Sequence, residues 1–164
     1  MKLKALLLLL LLLTASACNN DDDGTGSDSY TYEFFTSSQI QLLSEQGFEY
    51  IRIDNGINTV FKYRFEIDDE PNIADDEYTE TIYFEVNSDL NQFSYSDNEL
   101  TAQQVYIQRG CFCASVNPVP VSVGSITGTK LPNGTWDIDI SISLEWDEFS
   151  ETDSRTISGI FSAQ

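Results

Sequence analysis

Alternation of apolar and polar residues with a period of two is the feature that most restricts the fold of this chain. It is clearest from Trp136 to Trp146, where every even-numbered residue is Trp, Ile or Leu and every odd-numbered residue is Asp, Ser or Glu. Successive side chains of a β-strand point to opposite faces, so this segment predicts a strand with one buried and one solvated face. Shorter runs at 61–67, 82–86 and 157–163 show the same alternation. The pattern therefore predicts an antiparallel sheet with one face in water.

Turn residues separate these runs. Asp54-Asn55-Gly56 predicts a hairpin with a three-residue loop that would join the runs at 50–53 and 57–68, and residues 131–135 predict a second turn. A short helix is predicted over Gln39–Gln46, because Ser38 and Gln41 match a capping box and Gly47 can end a helix.

The folded part is therefore expected to be a single all-β domain, residues 30–164. We expect an antiparallel β-sandwich or a barrel-like meander of about eight or nine strands, with one short N-terminal helix. The sequence leaves sandwich and barrel open as alternatives.

Composition excludes several classes of function. The 164 residues include no histidine, so a Ser-His-Asp triad, a Cys-His pair and an imidazole zinc site are all absent from this chain. With 27 acidic and 8 basic residues the net charge is −19, which disfavours nucleic acid as a partner because phosphates would be repelled. No catalytic constellation can be identified, and the sequence therefore predicts a protein that is not an enzyme.

The first 18 residues predict an export signal. Lys2 and Lys4 precede an apolar run that contains eight consecutive leucines, Leu6–Leu13, and small residues follow before Cys18. The apolar run is Ala5–Leu13, and as a helix it would span about 14 Å, roughly half of the ~30 Å apolar core of a bilayer. It therefore fits a cleaved signal better than a membrane span.

The segment Ala15-Ser16-Ala17-Cys18 resembles the lipobox of bacterial lipoproteins, although leucine is usual where Ala15 stands. The resemblance implies that residues 1–17 are a lipoprotein signal peptide and that Cys18 is the lipidated residue, anchored in a membrane by its acyl chains. Residues 18–29 then form the lipidated end and an acidic flexible tether.

A cysteine followed closely by an acidic run also resembles the small β-rich cell-surface lipoproteins of the Bacteroidota, a family whose function is largely uncharacterised. This resemblance implies an outer-membrane location with the domain facing outward, and the periplasmic face is the alternative. The closing stretch, Gly124 through Trp136 to Phe161, is similar to the final strands of many such lipoproteins.

An acidic segment, Glu66–Glu80, holds eight carboxylates in fifteen residues. Carboxylates that converge on one loop could bind calcium, and a solubilising loop is the alternative. No other cofactor is predicted. The candidate calcium ligands are Asp68, Asp69, Glu70, Asp75, Asp76 and Glu77.

Cys111 and Cys113 remain once Cys18 is assigned to the lipid. In an oxidising compartment they are expected to pair, although residues two apart on a regular strand lie about 6.6 Å apart at Cα, at the limit of disulfide geometry. Two buried thiols, a bond to another chain and a soft-metal site are the alternatives.

These features predict a lipid-anchored, non-catalytic binding or accessory module. Besides the membrane, its partner would be a glycan, which the many aromatic residues could bind, or another envelope protein. The alternatives are a structural or assembly lipoprotein that binds another protein through an exposed strand edge, and a carboxylate-dependent hydrolase.

Overall fold

The computed structural model describes residues 28–67, 77–111, 117–146 and 151–164, which form ten strands and one short helix. The strands are β1 (Ser29–Glu45), β2 (Phe48–Asn55), β3 (Asn58–Ile67), β4 (Tyr78–Asn87), β5 (Gln92–Ser96), β6 (Tyr106–Gly110), β7 (Val119–Pro120), β8 (Val123–Lys130), β9 (Trp136–Trp146) and β10 (Glu151–Ala163). The helix, α1, is Asn98–Ala102. Among these residues, no helix has both the length and the apolar character needed to cross a membrane.

The strands form one sheet that curls into a half-barrel, which confirms the prediction of an all-β, barrel-like fold. Nine strands follow the hydrogen-bonded order β5-β8-β9-β10-β1-β3-β4-β6-β7, and β2 pairs with β1 outside this path. Within the described residues, neighbouring strands are antiparallel except β1 and β10. These two are parallel and pair at Glu33 with Ser162 and at Phe34 with Ala163.

The concave face of the half-barrel is filled by large side chains. Phe61 lies at its centre, with ring centroids 4.9 Å from Phe84, 5.4 Å from Trp136 and 5.8 Å from Phe161. The alternation of β9 is observed as predicted, since Ile138, the next inward residue after Trp136, is fully buried while Asp137 is exposed. The interior is thus a packed aromatic core, as expected for a small barrel.

The helix predicted over Gln39–Gln46 is wrong. These residues belong to β1 and its turn, and residues 38–45 pair one by one with 48–55 of β2. Gln46 and Gly47 have φ angles of 53° and 90°, so they form a tight hairpin turn with the twist that strands prefer. The helix that the structure contains is α1, a single turn between β5 and β6 that buries Leu100.

The hairpin predicted at Asp54-Asn55-Gly56 is also wrong. Both β2 and β3 pair with β1, which is long enough to take the two strands end to end. The register shifts between Phe35 and Ser38, and the Gly56 N–H donates to the Ser37 carbonyl at 2.8 Å. Gly56 therefore marks an irregularity within one long ribbon and does not reverse the chain.

Beyond that irregularity, residues 38–55 form a two-stranded hairpin that we call the arm. The N–H of Ile40 in the arm donates to the Glu85 carboxylate on β4, and the N–H of Glu49 near the arm's tip donates to Asn117 Oδ1 at 2.9 Å. Val60 and Glu85 alternate with core-facing residues and so point to the convex face, yet each is at least 94% buried. The arm therefore folds back over the convex face of β3 and β4.

Candidate functional site

Four charged side chains point into one end of the half-barrel. Each lies an even number of positions from buried core residues on its own strand and so faces the same side of the sheet. Glu80 precedes Ile82 and Phe84 on β4, and Arg109 follows Ile107 on β6. Asp153 and Arg155 precede Ile157 and Phe161 on β10 in the same phase. Alternation within the strands thus places these charges on the concave face, and we call the four residues the ionic cluster.

Arg155 is the centre of the ionic cluster. Its Nε lies 2.7 Å from Glu80 Oε1 and its Nη2 lies 2.8 Å from Glu80 Oε2, which makes a bidentate pair. Its Nη1 donates to Asp153 Oδ1 at 2.6 Å, and Arg109 Nη2 contacts the other Asp153 oxygen at 3.2 Å. The hydrogen bonds to Glu80, more than any other effect, raise the pKa of Arg155 above its usual value.

Aromatic side chains form a wall beside the ionic cluster. Tyr30 and Phe65 have ring centroids 5.2 Å apart, and Phe65 lies 6.2 Å from Tyr78. The Tyr78 hydroxyl donates to Glu80 Oε2 at 3.0 Å, so the wall and the ionic cluster are hydrogen-bonded to each other. Tyr30 is 52% exposed and presents part of its ring to solvent.

Together these groups form an open cleft of about 310 Å³, near the lower end of the range for small-ligand sites. We call it the aromatic–ionic cleft, and its lining residues are Tyr30, Tyr63, Phe65, Tyr78, Glu80, Arg155, Thr156 and Ile157. It combines flat apolar surface with fixed polar atoms, so it can bind a ligand that presents both.

The hydroxyls of Tyr63 and Tyr78 in the cleft keep their protons at neutral pH. Burial, more than any other effect, raises the pKa of Tyr63 to about 12, and it also raises the pKa of Tyr78, to which the Glu80 carboxylate adds. A protonated phenol can donate as well as accept a hydrogen bond. The cleft therefore offers neutral hydroxyls next to a balanced ion pair.

The cleft lies where several strands begin or end. β1 begins at Ser29 opposite Glu66 near the end of β3, and Ile67 pairs with Tyr78 at the start of β4. Such strand ends are where loops carry binding residues in many proteins. The residues that connect β3 to β4, 68–76, lie outside the described part of the chain.

Most predicted calcium ligands cannot be placed. Asp68, Asp69, Glu70, Asp75 and Asp76 lie outside the described residues, and Glu77 is exposed just before β4. In the described part of the chain, no group of three or more histidine, cysteine, aspartate or glutamate side chains could hold a metal ion. The two described ends of the acidic segment bond to arginines instead, Glu66 to Arg64 and Glu80 to Arg155.

The cysteines are only partly described. Cys111 directly follows β6, is half-buried and takes part in a disulfide bond. Cys113 and Cys18 both lie outside the described residues, so the pairing of Cys111 with Cys113 and the lipidation of Cys18 stay predictions.

Sequence reasoning missed the ionic cluster, although a signal for it exists. Extending the apolar phase of Ile82 and Phe84 backwards reaches Glu80, and extending that of Ile157 and Phe161 backwards reaches Arg155. A charge in the core phase of a strand is unusual and indicates a buried pair or a site. That two such positions meet could not be read from one sequence, because 75 residues separate them.

A second cleft, of about 460 Å³, lies beside β7 and the start of β8. Its described lining consists of apolar residues and of residues that carry a hydroxyl group: Val119, Pro120, Val123, Leu144, Ser122, Ser143 and Thr152. It offers fewer groups that could fix the orientation of a ligand than the aromatic–ionic cleft does, so the latter is the stronger candidate site.

No family model, curated protein or solved structure matches this chain. The chemistry of the aromatic–ionic cleft and the features of the sequence are therefore what indicate a function.

Proposed function

We propose that this chain is a lipid-anchored outer-membrane lipoprotein whose domain faces outward and binds a glycan, without catalysis, in the aromatic–ionic cleft. The observation that carries the proposal is an aromatic wall at the open end of a packed half-barrel, in which Tyr30 is exposed and Tyr78 is hydrogen-bonded to a fixed ion pair. Sugar rings present an apolar face and a rim of hydroxyls, and this cleft offers a complement to each.

The packing of the interior supports a ligand that binds at the end of the barrel. Phe61, Phe84 and Trp136 fill the space between the strands, with ring centroids about 5 Å apart. A fatty acid or another long apolar ligand would need that space, whereas a sugar needs only the cleft at the rim.

The ion pairing supports a binding role over hydrolysis. Glycoside hydrolysis needs one carboxyl group that carries a proton and a second that acts as base or nucleophile. Glu80 accepts two hydrogen bonds from Arg155 and one from Tyr78, and Asp153 accepts from Arg155 and Arg109. The hydrogen bonds that these carboxylates accept hold them in structural pairs.

Glycan binding is tested with the mature domain on a glycan array, followed by calorimetry on the sugars that bind. Tyr30→Ala should weaken binding about 2- to 13-fold, because loss of an aromatic contact costs roughly 0.5–1.5 kcal/mol. Phe48→Ala is the matched control, since Phe48 is 62% exposed on the arm. Absence of any bound sugar, or equal losses in both variants, contradicts the proposal.

The lipid anchor is tested separately. Cys18→Ser should abolish incorporation of labelled fatty acid and move the protein from the membrane fraction to the soluble one. Protease digestion of intact cells then distinguishes the outward face from the periplasmic face. Membrane association that survives Cys18→Ser contradicts the lipoprotein assignment.

Recognition of another envelope protein is the second candidate function. It is favoured by the arm, where Leu42, Phe48 and Tyr50 are large apolar residues with at least 36% exposure. Replacing Phe48 by Asp should then remove a co-purifying envelope protein, while Tyr30→Ala should not.

A further inference from the structure

We infer that the aromatic–ionic cleft discriminates by charge, and that it binds glycans without acidic groups in preference to glycans that carry carboxylates or sulfates. This inference rests on the proposed function and names the ligand class for the same site. It follows from the hydrogen bonds that Arg155 already makes within the protein and from the negative charge around the cleft.

The donors of Arg155 are nearly saturated by the protein itself. A guanidinium has five N–H donors. Nε and Nη2 bond to Glu80, and Nη1 bonds both to Asp153 Oδ1 and to the Ser154 carbonyl at 2.9 Å. Four of the five donors are thus engaged. The two N–H groups that could bind a ligand carboxylate in a bidentate pair already bind Glu80.

The ionic cluster also provides no net positive charge. Glu80 and Asp153 balance Arg155 and Arg109 in the described residues, within a chain whose net charge is −19. An anionic ligand therefore meets a cluster of described residues that is neutral overall, inside a negative field, and its charged group gains no net positive charge there when it leaves water.

The rim of the cleft adds to this negative field. Glu77 is exposed and directly precedes Tyr78 of the aromatic wall. Repulsion by such charges acts over about 10 Å at moderate salt. Neutral sugars are unaffected by this field, and amino sugars are attracted by it.

The test compares oligosaccharides of the same length and linkage built from glucose, glucosamine or glucuronic acid, added to the mature domain and followed by calorimetry and by Tyr30 contact shifts in NMR spectra. We expect the glucuronic acid form to bind at least about tenfold more weakly than the better of the other two at low salt, with the difference shrinking at high salt. Equal or tighter binding of the acidic form overturns the inference and leaves glycan binding intact. Absence of binding by all three, together with an empty glycan array, overturns the proposed function itself.

Charge reversal at the rim provides a second readout. Glu77→Lys should improve binding of acidic sugars, from the array or the series above, about two- to fivefold without changing the affinity of the neutral one. Glu45→Lys makes the same charge change at the far end of β1 and is the control. An equal effect of both variants, or none from Glu77→Lys, contradicts a local charge filter.

Discussion

At the scale of single residues, Arg155 joins the two halves of the sheet at the open end of the half-barrel. It extends from β10 to Glu80 on β4, whose side chain is only 4% exposed, although β1 and β3 lie between these strands in the sheet. Curling of the sheet brings the two side chains together across the concave face. Because Glu80 is nearly buried, its charge depends on the bidentate pair with Arg155 for compensation.

Arg155→Met should therefore destabilise the domain by about 3 kcal/mol, since it leaves a buried carboxylate without its main partner. Urea unfolding of the mature domain measures the change. Arg64→Met is the control, because the Arg64–Glu66 pair is well exposed and such pairs contribute about 0–1 kcal/mol. Equal losses of stability in both variants would contradict a stabilising role of the Glu80–Arg155 pair.

The raised pKa of Tyr63 predicts that the folded domain loses stability at high pH. The pKa of Tyr63 is raised to about 12 in the folded domain, mainly by burial, whereas an unfolded tyrosine titrates near 10. Above pH 10 the unfolded chain loses this proton first, so folding stability should fall as the pH rises from about 10 towards 12. Tyr63→Phe should show a shallower fall over this window in urea unfolding, and an unchanged slope contradicts the assignment.

At the scale of secondary-structure elements, the arm is the part of the fold that departs most from a simple meander. β1 bends at Ser37, whose φ is 52°, and Gly56 lies opposite the bend. Glu85 then holds the arm to the convex face by accepting hydrogen bonds from the Ile40 N–H and from Asn58 Nδ2. The irregularity at Ser37 and Gly56 thus determines where the arm lies.

Gly56→Ala should loosen the arm. The added methyl carbon would lie 2.6 Å from both Gln39 Cβ and the Ser38 carbonyl oxygen, so the backbone has to shift at a cost of about 1–3 kcal/mol. Hydrogen exchange should accelerate at Ile40 and along residues 48–55. Gly47→Asn is the control, because nothing lies within 4 Å of its Cβ position and asparagine tolerates positive φ. Faster exchange in the control alone would contradict this role of Gly56.

The errors of sequence interpretation are concentrated in this element. Ser38, Gln41 and Gly47 match the sequence signals of a helix, and Asn55-Gly56 matches those of a hairpin. Such local signals predict structure only weakly where a strand has hydrogen-bonded partners on both sides. Where alternation is long, as in Trp136–Trp146, one sequence sufficed to predict the strand and its buried face. The pairing of β1 with β10, whose partner residues are 129 positions apart, has no local signal and could not be predicted.

At the scale of the whole molecule, the sheet is held together by the pairing of its first and last strands, β1 and β10. The parallel pair of β1 and β10 connects the sheet portion β5-β8-β9-β10 to the portion β1-β3-β4-β6-β7. Phe161, near the C-terminal end of β10, is fully buried and packs edge-on against Tyr32 of β1 and Phe61 of β3, at 5.3 and 5.8 Å. Both portions therefore depend on this junction and should unfold as one unit.

Phe161→Ala tests that junction. Truncating a fully buried phenylalanine should cost about 3–5 kcal/mol. The neighbouring variant Ile160→Ala is the control, because Ile160 is 50% exposed on the opposite face of the same strand and should lose at most about 1 kcal/mol. The wild-type domain should give one cooperative transition by both fluorescence and circular dichroism. Two transitions in the wild type, or equal losses in the two variants, would mean that the portions fold independently and that the β1–β10 junction does not couple them.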